Sequence, residues 1–155
     1  MSTHSIVLLQ ALLQRSEGER DAALGQLRQA EGLVAQAQAQ AQHLRDYRGE
    51  YDQRWQTRFR ESGTPELVHC HRGFGQRLDH AIAVQTGQAD QLANRVQRAR
   101  DQLLARELRV ASVRKLIARR QAELQKIAGR RDQRITDEAA QRSHSAGFPM
   151  ATLFT

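Results

Sequence analysis

Apolar and small residues recur along the first part of the chain in alternating steps of three and four. This heptad spacing keeps them on one side of an α-helix, a side that can be buried only against another helix. The pattern therefore predicts a long coiled-coil helix. Arg20 is the one charged member of a seam formed by Ile6, Leu9, Leu13, Ser16, Ala23, Leu27, Ala30, Val34, Ala37, Ala41 and Leu44.

A second heptad seam occupies the later part of the chain. It comprises Val96, Ala99, Leu103, Arg106, Val110, Val113, Ile117, Arg120, Leu124 and Ile127. Just before it, Gln88, Leu92 and Val96 are separated by two steps of four, which predicts a stutter that locally unwinds the supercoil. Two complementary seams favour an all-α fold, a long two-helix antiparallel coiled-coil hairpin.

A strong turn signal separates the two predicted helices. No proline interrupts helix one, from about residue 3 to about residue 61, and Gly63 is typical of a helix C-terminus. Thr64 and Pro65 then provide an N-cap and a first-turn proline for helix two. A turn as short as residues 62–65 makes the two arms antiparallel.

The position of the turn also sets the register of the hairpin. Folding the chain at Gly63 and Thr64 places residue i near residue 127 minus i. Helix two, from about residue 65 to about residue 142, should then overhang helix one by about five turns. We expect residues 1–142 to form the coiled-coil domain, and residues 143–155, which lose the heptads, to form a disordered tail.

Charge is distributed unevenly along the chain. The 24 Lys and Arg residues exceed the 17 Asp and Glu residues, which gives a net charge of +7. Between Arg95 and Arg142 there are 14 basic and 6 acidic residues, a net +8, so the rest of the chain is nearly neutral. Helix two is therefore expected to meet an acidic partner, with a solvated face that has no partner as the alternative.

Motifs for chemistry are absent from the sequence. His69, Cys70 and His71 are adjacent, but no CxxC, HExxH or second cysteine pair accompanies them to complete a metal site. The segment Gly73-Phe74-Gly75 lacks the GK[ST] ending of a phosphate-binding loop. No apolar run is long enough to suggest a signal peptide or a membrane span. We therefore expect a non-enzymatic, cytoplasmic protein without metal, cofactor or small-molecule ligand.

Aromatic residues cluster beside the turn. Leu44, Tyr47, Tyr51 and Trp55 of helix one face Phe74, Leu78, Ala81 and Ile82 of helix two. Tyr47 falls beside the seam and Phe74 faces Gln53, so part of the cluster should be exposed. Exposed aromatic patches are frequent binding sites, which predicts an interaction surface, with packing that merely closes the hairpin as the alternative.

These residues resemble the FliJ family of flagellar export proteins. The similarity lies in Leu44-x-x-Tyr47-x-x-x-Tyr51, the Gly and Thr-Pro turn, Phe74-x-x-x-Leu78-Asp79-x-Ala81-Ile82, Arg131-Asp132-Gln133 and Asp137-Glu138-Ala139-Ala140-Gln141-Arg142. It extends over most of the chain. The resemblance implies a coiled-coil stalk of the type III export apparatus, similar in build to the coiled coil of the rotary ATP synthase γ subunit.

The resemblance also implies partners and a location. The end with the termini would enter the hexameric export ATPase ring, and the hairpin end would reach the cytoplasmic domain of the membrane export gate protein. Export chaperones are further implied partners. The protein would then be peripheral at the cytoplasmic face of the inner membrane, held there by the export apparatus.

Two sets of residues carry these implied contacts. The gate set, taken from the family pattern, comprises Gln40, Leu44, Tyr47, Tyr51, Phe74, Leu78, Ala81 and Gln85, the last at a position where the pattern has a histidine. The ring set is the basic overhang of helix two. It comprises Lys126, Arg130, Arg131, Arg134 and Arg142.

Three other functions are compatible with the same pattern. A stalk of a virulence-type secretion system would share this physics. A basic hairpin could bind nucleic acid, but acidic residues interleave with the basic ones and no aromatic residue accompanies them for base stacking, so no nucleic acid is expected. The arms could also stay open and pair between two chains as a homodimeric coiled coil.

Overall fold

Two long α-helices make up the protein, as described for residues 2–147 by a computed structural model. Helix α1 spans Ser2–Glu61 and helix α2 spans Pro65–Ala146, and no strand occurs among the described residues. The predicted all-α fold of two packed helices is thereby confirmed. Helix α2 continues beyond the boundary expected near residue 142, and residues 148–155 of the expected tail lie outside the described residues.

Local hydrogen bonds define the turn between the helices. The amide of Ser62 donates to the carbonyl of Arg58 over 2.9 Å, which closes the last turn of α1. The amide of Leu67 donates to Thr64 Oγ1 over 3.4 Å, so Thr64 is the N-cap of α2. No described glycine has a positive φ, so α1 ends without the left-handed conformation that often makes glycine the residue after a helix.

The chain divides into two compact units, each containing part of both helices. The turn unit is Gly18–Leu108, and the terminal unit combines Met1–Glu17 with Arg109–Thr155, described here for residues 2–17 and 109–147. In the turn unit Gln85 Nε2 donates to Gln40 Oε1 over 2.8 Å, whereas the fold-back register predicts residue 87 opposite Gln40. In the terminal unit Arg114 pairs with Glu17 over 3.0 Å, whereas the fold-back register predicts residue 110 opposite Glu17. Both pairs lie within about one helical turn of the predicted register.

Small side chains form most of the buried seam. The buried residues of the turn unit include Ala23, Leu27, Ala37, Ala41, Leu78, Ala89 and Val96, and those of the terminal unit include Ser16, Val110, Val113 and Ile117. Charged seam members are accommodated by ion pairs at the edge of the interface. Arg106 binds Glu19 over 2.8 Å, and Arg20 binds the neighbouring Asp21 over 2.9 Å.

The predicted stutter at Gln88 is wrong. Ala89 is buried, with 7% of its surface exposed, whereas Gln88 is exposed. Ala89, Leu92 and Val96 continue the alternation of three and four, so the heptad seam continues through this segment. The physical reason is that a single methyl group suffices to fill a seam position where the helices approach closely.

An aspartate at each of these two adjacent positions distinguishes the two registers. We expect Ala89→Asp to lower the free energy of unfolding by about 2 kcal/mol or more, because a carboxylate in the seam is desolvated without a partner. Gln88→Asp should change it by only about 0.5 kcal/mol, since that site is exposed. Urea unfolding monitored by circular dichroism measures both free energies of unfolding. Equal losses in the two variants would support the stutter. Helix propensity contributes only a few tenths of a kcal/mol to the difference, because the introduced residue is the same and the replaced ones are alanine and glutamine.

Candidate functional site

The gate set occupies one side of the hairpin. In heptad notation Gln40, Tyr47, Phe74 and Ala81 are at g positions, and Leu44, Tyr51, Leu78 and Gln85 are at d positions. The g positions of two antiparallel helices border the same edge of their seam, as the e positions do for the opposite edge. We call this surface the g/d side. All eight residues predicted for one contact therefore share one surface of the turn unit.

Two contacts across the helices join members of the gate set. Gln85 donates to Gln40 as described above, and the rings of Tyr51 and Phe74 have centroids 4.9 Å apart. Phe74 thus lies against Tyr51, and the expectation that it faces Gln53 is wrong. This contact is offset from the fold-back register by two residues, as is the contact of Gln85 with Gln40, so the actual register of the helices is the reason.

Members of the gate set differ in how accessible they are. Tyr47 is 44% exposed, and Gln40 is exposed as well. Leu78, by contrast, is 8% exposed and belongs to the buried seam. Leu44, Tyr51, Phe74, Ala81 and Gln85 are half-buried. A partner on this side would therefore touch Tyr47 and the edges of the other rings, while Leu78 supports them from beneath.

Ion pairs and hydrogen bonds bridge the opposite edge of the turn unit. Arg45 donates to Thr86 Oγ1 over 3.1 Å, and Arg100 lies 3.6 Å from Glu31. These residues occupy e positions of their helices. Between these two pairs, the edge opposite the gate set is thus bridged by polar contacts.

A polar cluster that the sequence analysis missed lies within the seam itself. Arg48 follows Leu44 at the next seam position, and its guanidinium binds Asp79 of α2 over 3.0 Å and also Asp52 of α1. The hydrogen bond to Asp79 is the main factor that raises the pKa of Arg48, and partial burial opposes it. The heptad spacing, continued past Leu44, places Arg48 at a seam position, and this spacing could have identified the cluster from the sequence.

Gly75 makes room for this arginine. Gly75 is buried, and a Cβ atom at that position would lie only 2.8 Å from Arg48 Nη2. A larger residue would displace the guanidinium from its place between the helices. The glycine that was considered as part of a phosphate loop therefore has a packing role.

His71 is part of the aromatic cluster. Its ring stacks on Tyr51 at 5.1 Å between centroids and lies 5.2 Å from Trp55 and 5.5 Å from Phe59. Its Nε2 atom is 3.7 Å from Asp52. His69 and Cys70 beside it are exposed. No group of three His, Cys, Asp or Glu side chains within residues 2–147 is arranged to hold a metal ion.

A surface cleft continues the g/d side toward the turn. It has a volume of ≈ 560 Å³ and is lined by Tyr47, Tyr51, Arg54, Trp55, Thr57 and Arg58. The guanidinium of Arg58 lies 5.8 Å from the centroid of the Trp55 ring. Neither arginine of this cleft was among the residues singled out from the sequence.

The ring set lies on the last part of α2, in the terminal unit. All five of its residues are exposed, and among residues 118–146 only Leu124 is half-buried. Two large apolar side chains accompany them, Ile127 with 61% and Ile135 with 59% of their surface exposed. Ile127, Arg130, Arg131, Arg134 and Ile135 border one shallow groove. This surface is both basic and apolar.

Comparison with known proteins identifies the family of the chain. The model of the flagellar FliJ protein family matches residues 6–147, which include nearly all of both helices. The chain belongs to the FliJ family. The resemblance derived from the aromatic and Asp-Glu-Ala-Ala motifs is thereby confirmed. No curated protein and no solved structure matches the chain.

FliJ membership makes the protein a component of the flagellar protein export apparatus, and hence of flagellum biogenesis. FliJ proteins are structural components of that apparatus and are not a known enzyme family. Neither helix of the described part contains a stretch that is long and apolar enough to cross a membrane. The coiled-coil character expected from the heptads agrees with the two packed helices.

Two alanine substitutions distinguish gate-set side chains that stabilise the hairpin from those available to a partner. We expect Leu78→Ala to lower the free energy of unfolding by about 2–4 kcal/mol, because it empties a buried seam position. Tyr47→Ala should cost about 0.5 kcal/mol, since its side chain is substantially exposed. Chemical unfolding monitored by circular dichroism measures both. A large loss for Tyr47→Ala would assign that side chain to closure of the hairpin.

Proposed function

We propose that this FliJ chain is a non-enzymatic coiled-coil stalk of the flagellar type III export apparatus. It links the hexameric export ATPase ring to the cytoplasmic domain of the membrane export gate, and it assists delivery of export chaperones and substrates. In that role it is cytoplasmic and peripheral at the inner membrane. The observation that carries the proposal is the exposed, basic and apolar stretch of α2 after Gln125.

The ring set supports docking of the terminal unit into the ATPase ring. Ile127 and Ile135 each leave well over half of their surface in water, which is costly unless a partner covers them. Arg130, Arg131 and Arg134 beside them suit an acidic lining. A single helix is only marginally stable in water, so engagement by a ring would also hold this part of α2 helical.

The gate set supports docking of the turn unit to the export gate. Tyr47 is exposed and neighbours the Tyr51–Phe74 contact, which gives a rigid aromatic surface on the g/d side. Tyrosine and tryptophan are enriched among residues that dominate binding energy, because they bury large area at a small entropic cost. At the opposite edge, by contrast, Arg45 meets Thr86 and Arg100 meets Glu31.

Removing two rings tests gate docking. We expect Tyr47→Ala combined with Phe74→Ala to weaken binding to the purified gate domain by about 100-fold, since loss of two aromatic anchors costs several kcal/mol. Flagellar motility should fall with it. Titration calorimetry measures the affinity, and circular dichroism confirms that the helices remain. Loss of helicity in parallel would make the rings purely structural.

A matched double variant serves as the control for lost apolar area. Val84 and Leu104 are exposed apolar residues of the same unit and lie at outward c and b positions, off the g/d side. Val84→Ala with Leu104→Ala should leave gate binding unchanged. An equal loss in this control would show that binding is not localised to the gate set.

Shortening α2 tests ring docking. A chain truncated after Gln125 should lose most of its association with the export ATPase, because it lacks the whole ring set, and should retain binding to the gate domain. Co-sedimentation with the assembled ATPase measures the first property. Unchanged association with the ATPase would overturn the assignment of the terminal unit.

A full-length variant separates charge from helix length. Arg130→Gln, Arg131→Gln and Arg134→Gln together keep α2 intact and should still weaken ATPase association, more strongly at low salt. The control replaces Arg98, Arg109 and Arg119, which are also exposed, by glutamine. The control carries the same charge change, so equal effects would indicate unspecific attraction.

A further inference from the structure

We propose that the g/d side extends one heptad beyond the gate set, where Arg54, Trp55 and Arg58 bind an acidic segment of the protein partner. This proposal rests on the proposed function, because it names the chemistry of the partner at the same side of the turn unit. It adds a contact that the gate set does not contain. The partner segment would present carboxylates to the guanidinium groups and an apolar side chain to the rings.

The heptad register places the two arginines in line with the gate set. Arg54 is one heptad after Tyr47 at a g position, and Arg58 is one heptad after Tyr51 at a d position. The surface formed by the tyrosines therefore continues directly into a cationic stretch. On α2, exposed Leu67 occupies the corresponding g position one heptad before Phe74.

Residues of both stretches line the same shallow cleft on α1. Tyr47 and Tyr51 of the gate set line it together with Arg54, Trp55 and Arg58. A partner that covers the tyrosines would thus also meet the arginines. Because this cleft is shallow and open, it suits a side chain of a docked protein segment better than an enclosed small molecule.

A cation–π contact joins Arg58 to Trp55. Its guanidinium lies 5.8 Å from the centroid of the Trp55 ring, and Trp55 in turn lies 5.2 Å from the Phe59 ring. A guanidinium over a ring face keeps its N–H donors available to a carboxylate. Tyrosine, tryptophan and arginine together are the residues most enriched at the centres of protein interfaces.

The local charge selects an acidic partner. Residues 54–77 contain five arginines and two glutamates. Arg54 lies 3.6 Å from Glu50, but both side chains are highly exposed, 71% and 62%, and such surface pairs are weak. A carboxylate of a docked partner that excludes water from the cleft would therefore compete effectively with Glu50.

Charge reversal at the two arginines tests the proposal. The purified full-length protein and its variants are titrated with the gate domain by surface plasmon resonance at about 50 mM and about 300 mM salt. We expect Arg54→Glu with Arg58→Glu to weaken binding about tenfold or more at low salt, with a smaller difference at high salt. The matched control, Arg60→Glu with Arg72→Glu, changes the net charge equally at exposed sites outside the cleft.

The outcomes distinguish this proposal from the proposed function. Loss only in Arg54→Glu with Arg58→Glu, while circular dichroism stays helical, supports it. Equal affinities of the gate domain for this variant and its control overturn it, even where Tyr47→Ala with Phe74→Ala still weakens gate binding as expected. Absence of any affinity between the unaltered protein and the gate domain overturns both.

A second binding experiment tests anionic lipid membranes, which also attract arginine side chains. Vesicles of phosphatidylglycerol and phosphatidylcholine are sedimented with the same proteins. We expect Arg54→Glu with Arg58→Glu to affect vesicle binding no more than the control does. If the two cleft arginines govern vesicle binding and leave gate binding unchanged, a lipid surface is the partner and the acidic protein segment is rejected.

Discussion

A single layer of side chains between two helices governs the rest of this structure. With one partner helix on one side, an α-helix can bury only its a and d positions, so the remaining residues stay at least partly in water. The seam here is thin because alanines such as Ala37, Ala41 and Ala89 occupy many of its positions. Larger apolar side chains outside the seam, such as Val84, Leu104 and Ile135, are consequently exposed and available to a partner.

Beside the turn, the seam changes from apolar to polar. Arg48 takes a seam position and is held by Asp79 and Asp52, and Gly75 leaves the space that its guanidinium needs. The pair between Arg48 and Asp79 forms in this register, and it therefore favours the register modestly because Asp79 is largely exposed. The same register brings Tyr51 against Phe74 and forms the aromatic part of the g/d side.

Membership in the FliJ family connects this construction to flagellar export. A coiled coil offers no enclosed pocket, so its function depends on which side chains each surface presents and in what order. The turn unit presents tyrosines and arginines on one edge and ion pairs on the other. The terminal unit presents arginines and isoleucines on α2. The two surfaces share arginines but differ in their apolar side chains, which are aromatic in the turn unit and aliphatic in the terminal unit, and this suits the two partners that we propose for the stalk.

The sequence alone determined the two helices, their turn and the family, because heptad spacing and helix caps are local signals that a hairpin leaves unchanged. The fold-back register also followed, to within about one turn. Tertiary structure decided which side chains share an edge and which are buried. In the structure Ala89, and not Gln88, occupies the seam position. Phe74 contacts Tyr51, and Arg48 binds Asp79 across the interface. These outcomes depend on how side chains meet across the interface and on the space left by residues such as Gly75. The periodicity of the sequence carries no information about either.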